Sequence, residues 1–212
     1  MTDPERPGAE QWVPHTVDLG RLRSAAAECR GCELWRDATQ TVFSSGSRKS
    51  RFMLVGEQPG DKEDLAGEPF IGPAGQLLDR ALEEAGIARE EAYVTNAVKH
   101  FRFERRGMRR IHQKPAVGNI VACRPWLDAE MRSVKPDVIV CLGATAGRAV
   151  LGRPTRVTAE RGHPLSAEGI DQGIVVTTHP SAVLRVRDAD EREAAFAAFV
   201  DNLVVAREIS AP

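Results

Sequence analysis

"RFMLVGEQPGDKED", residues 51–64, decides the fold. Five apolar or small residues, Phe52 to Gly56, run without alternation and stop at a glycine. Such a continuous apolar run reads as a strand buried on both faces, the mark of a parallel sheet with helices on either side. The next residues are polar and glycine-bounded: Glu57, Gln58 and Asp61 between Gly56 and Gly60. In sheets of this kind ligands sit outside the carboxyl ends of the strands, so the turn after this strand is the first place to look for a site. Gly56 and Gly60 let the backbone come close to a ligand. A carboxylate there can orient a base or nucleophile; taken alone, the segment also reads as a plain turn with a solvated acidic edge.

The same strand–helix rhythm repeats along the chain. "GQLLDRALEEAGI" reads as a helix with Leu77, Leu78, Ala81, Leu82 and Ala85 on one side and Gly86 as its stop. Further strands are expected at 92–98, 137–143 and 173–179, and further helices from Asp18, across about 117–133, over "ATAGRAVLG" and over "DEREAAFAAFVDNLVVA". The fold class expected is α/β, three-layered, with a central four-stranded parallel sheet flanked by helices. Residues 1–17, rich in proline, glycine and charge, read as a flexible arm ahead of a single domain over 18–212.

Composition narrows the function. The chain has 212 residues, 42% of them hydrophobic, and a net charge of −1. Charge is unevenly spread: Lys99 to Lys114 holds seven Lys/Arg and one acid, a net of +6. An acidic body with one basic segment points to a local polyanion site, although a solvated loop has the same composition. Within that segment "RRGMRRIHQKP" (105–115) reads as a loop in which His112 stands among Arg105, Arg106, Arg109, Arg110 and Lys114. No run of about 18 apolar residues suggests a membrane span, and the polar amino terminus does not resemble a signal peptide. A cytosolic protein, expected as a monomer, is the reading. Four cysteines in such a chain do not make a disulfide framework.

Four polar segments occupy the strand ends and should converge: "GEQPGDKED", "NAVKHF", "GATAG" and "HPSAVLR". Asn96 can read the edge of an amide-like ring by donating and accepting together, or serve as a local cap. His179 can donate to charge developing on a leaving group, or be a satisfied structural histidine. Phe70, among prolines and glycines, suits a stacking platform or a satellite core contact. Leu184 beside Arg185 offers an apolar tip next to a cation, a form that can wedge into a base stack. Among the cysteines, Cys29 and Cys32 form a C-x-x-C pair. Cys141, inside "VIVCLG", reads as a buried strand residue. Three cysteines, with Cys123 as the third, leave one position of an iron–sulfur set open, and His100 is a candidate for it.

The motifs "GEQPGDKEDLAGEPFIGPAGQLLD", "YVTNAVKH", "ACRPWL", "LGATA" and "THPSAVLR" resemble, in order over about residues 28–200, the iron–sulfur, family 4-like branch of the uracil-DNA glycosylase superfamily. The resemblance implies a 4Fe-4S cluster and a pocket for uracil flipped out of DNA. It suggests Cys29, Cys32, His100 and Cys123 as cluster ligands, with His100 standing where the ordinary branch has a cysteine. It gives Phe70 a stacking role, Asn96 the reading of the base edge, Gly56 and the backbone amides near Gln58 further contacts to the base, and His179 the stabilising of the departing uracil anion. The insertion between His100 and Cys123 carries "RRIH", which resembles the X-type enzymes (UdgX) of the superfamily, trapped covalently on uracil-DNA through the histidine of such a motif. By that likeness Arg109 and Arg110 hold the loop and the phosphates. His112 attacks the sugar C1′ in place of water and ends the reaction after one turnover. Glu57 and Asp61 both stand as carboxylates able to assist. The partner implied is uracil-containing DNA, single-stranded DNA by preference because a base leaves it at lower cost. A turnover glycosylase and an iron–sulfur DNA-binding protein without chemistry are the competing expectations.

Overall fold

The computed structural model describes residues 5–210. In chain order its elements are α1 (Leu19–Ala26), β1 (Ser44–Ser45), β2 (Phe52–Gly56), α2 (Asp61–Ala66), α3 (Pro73–Glu84), β3 (Ala92–Asn96), β4 (Phe103–Arg106) and β5 (Arg109–His112). Then come α4 (Val117–Val134), β6 (Val138–Leu142), α5 (Ala144–Leu151), α6 (Val157–Glu160), β7 (Pro164–Ala167), β8 (Ile170–Thr177), α7 (Pro180–Leu184) and α8 (Ala189–Ile209). The main sheet runs β1-β3-β2-β6-β8-β7. Its four central strands are parallel, as expected. Two antiparallel edge strands, β1 and β7, make it six-stranded and mixed. Both edges lie beyond what an apolar run reveals: β1 is two serines, and β7 is half-exposed and begins with a proline, which suits an edge position.

Successive residues of the central strands point to opposite faces. Met53, Val55, Ile139, Cys141, Ile174 and Val176 pack toward Leu22, Trp126, Leu127 and Val150 from α1, α4 and α5. Phe52, Leu54, Val94, Val138, Val140 and Val175 pack toward Leu78, Leu82, Phe196, Phe199 and Leu203 from α3 and α8. Two apolar layers thus share one sheet. The helices bury their apolar stripes there, and the strand ends emerge together at one rim.

Two readings of the sequence are revised. The basic segment is a hairpin rather than a loop: β4 and β5 pair antiparallel from Phe103↔His112 to Arg106↔Arg109, turning at Gly107–Met108. Its flanking phenylalanines and exposed arginines gave no alternating pattern to read. The arm expected at 1–17 lies outside the described residues at 1–4. Beyond that it is attached: Gly8 and Ala9 donate backbone hydrogen bonds to Gly31 and Ala122 (3.0 and 2.9 Å), and Ala9 is buried. Gly31 is needed there, since an added Cβ would lie 2.9 Å from the Ala9 backbone.

Beneath the sheet, Lys99 and Glu130 form an ion pair with side chains 1% and 0% exposed, Nζ to Oε2 2.5 Å. Lys99 also donates to Thr95 Oγ1 (2.6 Å) and to the Asn96 carbonyl (3.0 Å), while Tyr93 and Thr95 donate to Glu130 Oε1. Burial holds the Glu130 carboxyl above its usual range even with this company. Removing one partner strands the other charge out of water, at a cost of about 3–5 kcal/mol. Urea unfolding of Glu130→Ala should show a loss of that order, and Lys99→Met/Glu130→Leu, which leaves no orphan charge, should lose clearly less.

Candidate active site

β2, β3, β6 and β8 end at the same level, where Gly56 pairs with Asn96 and Leu142 with Thr177. Above those ends lies a cavity of about 650 Å³, within the size range of small-molecule sites. Its wall includes Glu57, Phe70, Asn96, His112, Thr145, His179 and Arg185.

Gly56 is the floor. A Cβ there would lie 2.3 Å from Asn96 Oδ1 and 2.6 Å from Phe70 Cζ, so only a glycine lets both side chains close over the strand end. Asn96 is buried, and its Oδ1 accepts no hydrogen bond from any described residue. An orphan buried acceptor costs about 1–3 kcal/mol, which a donor from a bound ring would recover. Phe70 holds φ at +58°, a left-handed backbone that costs a non-glycine residue about 1–2 kcal/mol. Gly75 permits it: a Cβ there would fall 1.5 Å from the Phe70 carbonyl oxygen. The Phe70 ring stands 6.1 Å from the His179 ring.

His179 caps α7, and its Nδ1 accepts from the Ser181 backbone N–H (3.1 Å), with Ser181 Oγ at 2.8 Å. An Nδ1 that accepts leaves the proton of the neutral ring on Nε2. Burial, with Arg185 and His112 adding, pushes the His179 pKa down to about 4. The cavity therefore receives a neutral N–H donor. His112, at the end of β5 and half-exposed, is also held below the ordinary histidine range, by partial desolvation and then by Arg185, against the opposing pull of Glu57. Its Nε2 lies 3.6 Å from Glu57 Oε1. Glu57 is held in turn by Thr145, whose Oγ1 donates to Oε2.

Several side chains stand apart from the roles expected of them. Gln58 reaches the cavity wall, but its side chain stitches the hairpin down: Nε2 donates to the Arg102 and Gln113 carbonyls and Oε1 accepts from Arg102 N–H, each 3.1 Å. Its side-chain amide is spent on the hairpin backbone, so contacts to a base from this segment fall to the backbone amides near Gln58. Arg110 is likewise engaged. It bonds Asp61 Oδ1 (2.5 Å) and Asp64 Oδ2 (2.6 Å), and only 12% of its side chain is exposed. These bonds to α2 hold the hairpin, one half of the role expected of Arg110, and Asp64, fully buried, takes much of its charge. Asp61 belongs to this clamp and is absent from the cavity wall, where Glu57 and Glu63 are the carboxylates. Arg109 is exposed and unpaired among the described residues, beside exposed Arg105, Arg106 and a 99% exposed Met108. Leu184 is exposed at the end of α7, and Arg185 lines the cavity.

The four residues expected to hold iron are all buried. Burial pushes the Cys29 and Cys123 thiols up and Cys32 up to about 11, and Cys123 feels Cys29 and Cys32 across the gap. Thiolates in such a place call for a cationic partner. Cys29 Sγ receives Trp126 Nε1–H (3.2 Å) and Gly31 N–H (3.5 Å). Thr41 Oγ1 donates to the Ala26 carbonyl, so at 2.8 Å it accepts from His100 Nε2–H and leaves His100 Nδ1 unprotonated. Such orienting partners are what a metal-binding histidine requires. Among the described residues no cluster of three or more ligands suits a single metal ion; a four-iron cluster differs in meeting each ligand at a different iron. The donor set fits that group. Cys141 is buried within β6, its thiol pushed up to about 12.

Thr145, Ser181, Thr41 and Asp64 carry much of this geometry and were not singled out from the sequence; the placing of "GATAG", "HPSAVLR" and "GEQPGDKED" at strand ends pointed to three of them, and nothing pointed to Thr41. The His179 assignment has a measurable consequence. Its folded pKa lies below the ordinary 6.5, so the unfolded chain takes up more protons as pH falls from about 6.5 to about 4. The contribution to stability is full above that window and lost through it. Nitrogen-15 NMR should show the Nε2–H form of His179 persisting at pH 5.5, and His179→Gln should flatten the decline in urea stability between pH 6.5 and 4.

The uracil DNA glycosylase superfamily profile matches residues 43–204. The type-4 uracil-DNA glycosylase of Thermotoga maritima is 38% identical over 166 residues, covering 78% of this chain and 82% of that protein. Those of Sulfurisphaera tokodaii and Archaeoglobus fulgidus are 32% and 33% identical, covering 78% and 74% of this chain and 76% and 78% of the relatives. With this match over most of its length, and the cavity at its strand ends, the chain belongs to the uracil-DNA glycosylase superfamily.

Proposed function

We propose that the protein is a uracil-DNA glycosylase, releasing uracil from DNA as a step of DNA repair. The observation that carries the reading is the orphan Asn96 Oδ1 in a cavity that also receives the Nε2–H of His179. Uracil presents an N3–H donor flanked by two carbonyl acceptors, a pattern that suits an acceptor and a donor placed apart. Phe70 supplies the face for stacking.

Cleavage of the N1–C1′ bond sends its electron pair to uracil and leaves a cationic, oxocarbenium-like sugar. His179 donates from Nε2 to the developing uracil anion. Its neutrality means that the donor needs no proton uptake from solvent. Glu57 sits beside the sugar's side of the cavity, where its charge offsets that of the sugar and where it accepts a proton from the attacking group. Arg185 and the exposed Arg105, Arg106 and Arg109 suit the phosphates on either side. A single strand is the favoured substrate, because unstacking costs less there. A 4Fe-4S cluster on Cys29, Cys32, His100 and Cys123 would tie the amino-terminal loop to β3 and α4, a structural role.

A second reading concerns what attacks C1′, and His112 favours it. This imidazole lies 3.6 Å from Glu57 Oε1, on the cavity wall and held toward its neutral form. Its unprotonated nitrogen would bond to C1′ as the N1–C1′ bond breaks, and Glu57 would take the proton from the other nitrogen. No good leaving group then remains, and the protein stays on the DNA.

The test is incubation with a uracil-containing oligonucleotide, assayed for free uracil and run on a denaturing gel. Uracil release is expected, and no release by the cluster-loaded protein would refute the proposal. Asn96→Ala and His179→Ala should each slow release by roughly 10²–10³, the usual effect of losing one such polar group. A heat-stable protein–DNA band, lost in His112→Ala, supports the second reading. Abasic product without that band supports turnover with water as nucleophile.

A further inference from the structure

Glu57 faces the reacting region, yet a carboxylate on a flexible side chain can present either oxygen in many directions. Among the described residues one donor holds it: Thr145 Oγ1, hydrogen-bonded to Oε2. The other oxygen, Oε1, is the one directed at His112 Nε2. We infer that Thr145 is a positioning residue for the C1′ step, pinning one oxygen of Glu57 so that the other is presented to the attacking group.

The fold places this contact. β2 and β6 are paired in parallel register up to Val55↔Cys141, so their ends leave the sheet side by side, one leading to Glu57 and the other to Gly143. Gly143 turns with φ +93°, against His179 Cβ, and starts α5. Thr145 is in the first turn, 3% exposed and on the cavity wall. A valine would fill the same space without the hydroxyl. The pinning serves Glu57 whether water or His112 is the nucleophile. It deepens the proposed glycosylase reading and rests on it for its catalytic meaning, but the arrangement of Glu57 stands independently.

The test compares Thr145→Val and Thr145→Ser with the parent protein, all cluster-loaded and matched in visible absorbance. Under single-turnover conditions Thr145→Val should release uracil at least about tenfold more slowly, since small misplacements of a reacting group are costly. Its affinity for uracil-DNA should stay within about twofold, because groups acting only in the transition state leave ground-state binding unchanged. Thr145→Ser should recover most of the rate. Adding Thr145→Val to Glu57→Gln should slow the reaction little further, since both act through one group. A second readout needs no reaction. His112 is faced by Glu57, which raises its pKa, and by Arg185 and burial, which lower it. Freeing Glu57 should shift the His112 NMR midpoint downward in Thr145→Val and restore it in Thr145→Ser. Parent-like rate and midpoint in Thr145→Val would overturn the inference, as would equal loss in both variants. A midpoint shifted in Thr145→Val, together with a parent protein that releases no uracil, would uphold the positioning and refute the glycosylase reading.

Discussion

A missing side chain governs the site. Gly56 ends the central strand β2 opposite Asn96, and the space where its Cβ would stand is taken by Asn96 Oδ1 and the Phe70 ring. Any other residue would drive apart the unsatisfied acceptor of Asn96 and the ring of Phe70. The parallel register of β2 with β3 and β6 then sets everything else around that point, because it brings Glu57, Asn96 and Gly143 to the same level of the sheet.

Buried charge fastens the surroundings to this floor. Lys99 joins Glu130 under the sheet and donates to the carbonyl of Asn96, so Asn96 is held from behind. Arg110 does the corresponding work for the hairpin. It bridges to Asp61 and the fully buried Asp64, with the rings of Phe101 and Phe103 5.5 and 5.1 Å away. The arginines around the histidine therefore divide their work. One arginine is an internal strut that fixes β5, and with it His112, against α2. The others stay at the surface, where their charge is available to a polyanion.

Small polar neighbours choose how each group is presented. The Thr41 hydroxyl leaves His100 with a bare Nδ1, the Ser181 backbone N–H leaves His179 with its proton on Nε2, and the Thr145 hydroxyl leaves Glu57 with one oxygen free. Each is a small residue beside a chemically more conspicuous one. Each converts a side chain with two possible presentations into one with a single direction, which is what a preorganised site requires.

The parallel core was legible because strands covered on both faces must be apolar throughout, and "RFMLVG" and "DVIVCLG" are. Strand ends come with the strands, so the residues that gather at the cavity, Glu57, Asn96, His179 and Gly56, could be named from the sequence. Cys141 could be set aside from the other cysteines for the same reason, its apolar flanks. The edge strands, the hairpin and the packed amino-terminal segment could not be read, because short or exposed pairings leave no periodic trace. Nor could the division of labour among like residues. Arg109 and Arg110 are neighbours of one type, as are the acids Glu57 and Asp61 within one motif. Sequence by itself determined which chemical groups reach the rim, since hydrophobic burial sets the strands and the strands set their ends. Only the tertiary structure decided which of those groups are spent on internal partners and which remain free, because hydrogen bonds and ion pairs join residues whose separation along the chain, as between Glu57 and Thr145, carries no signal.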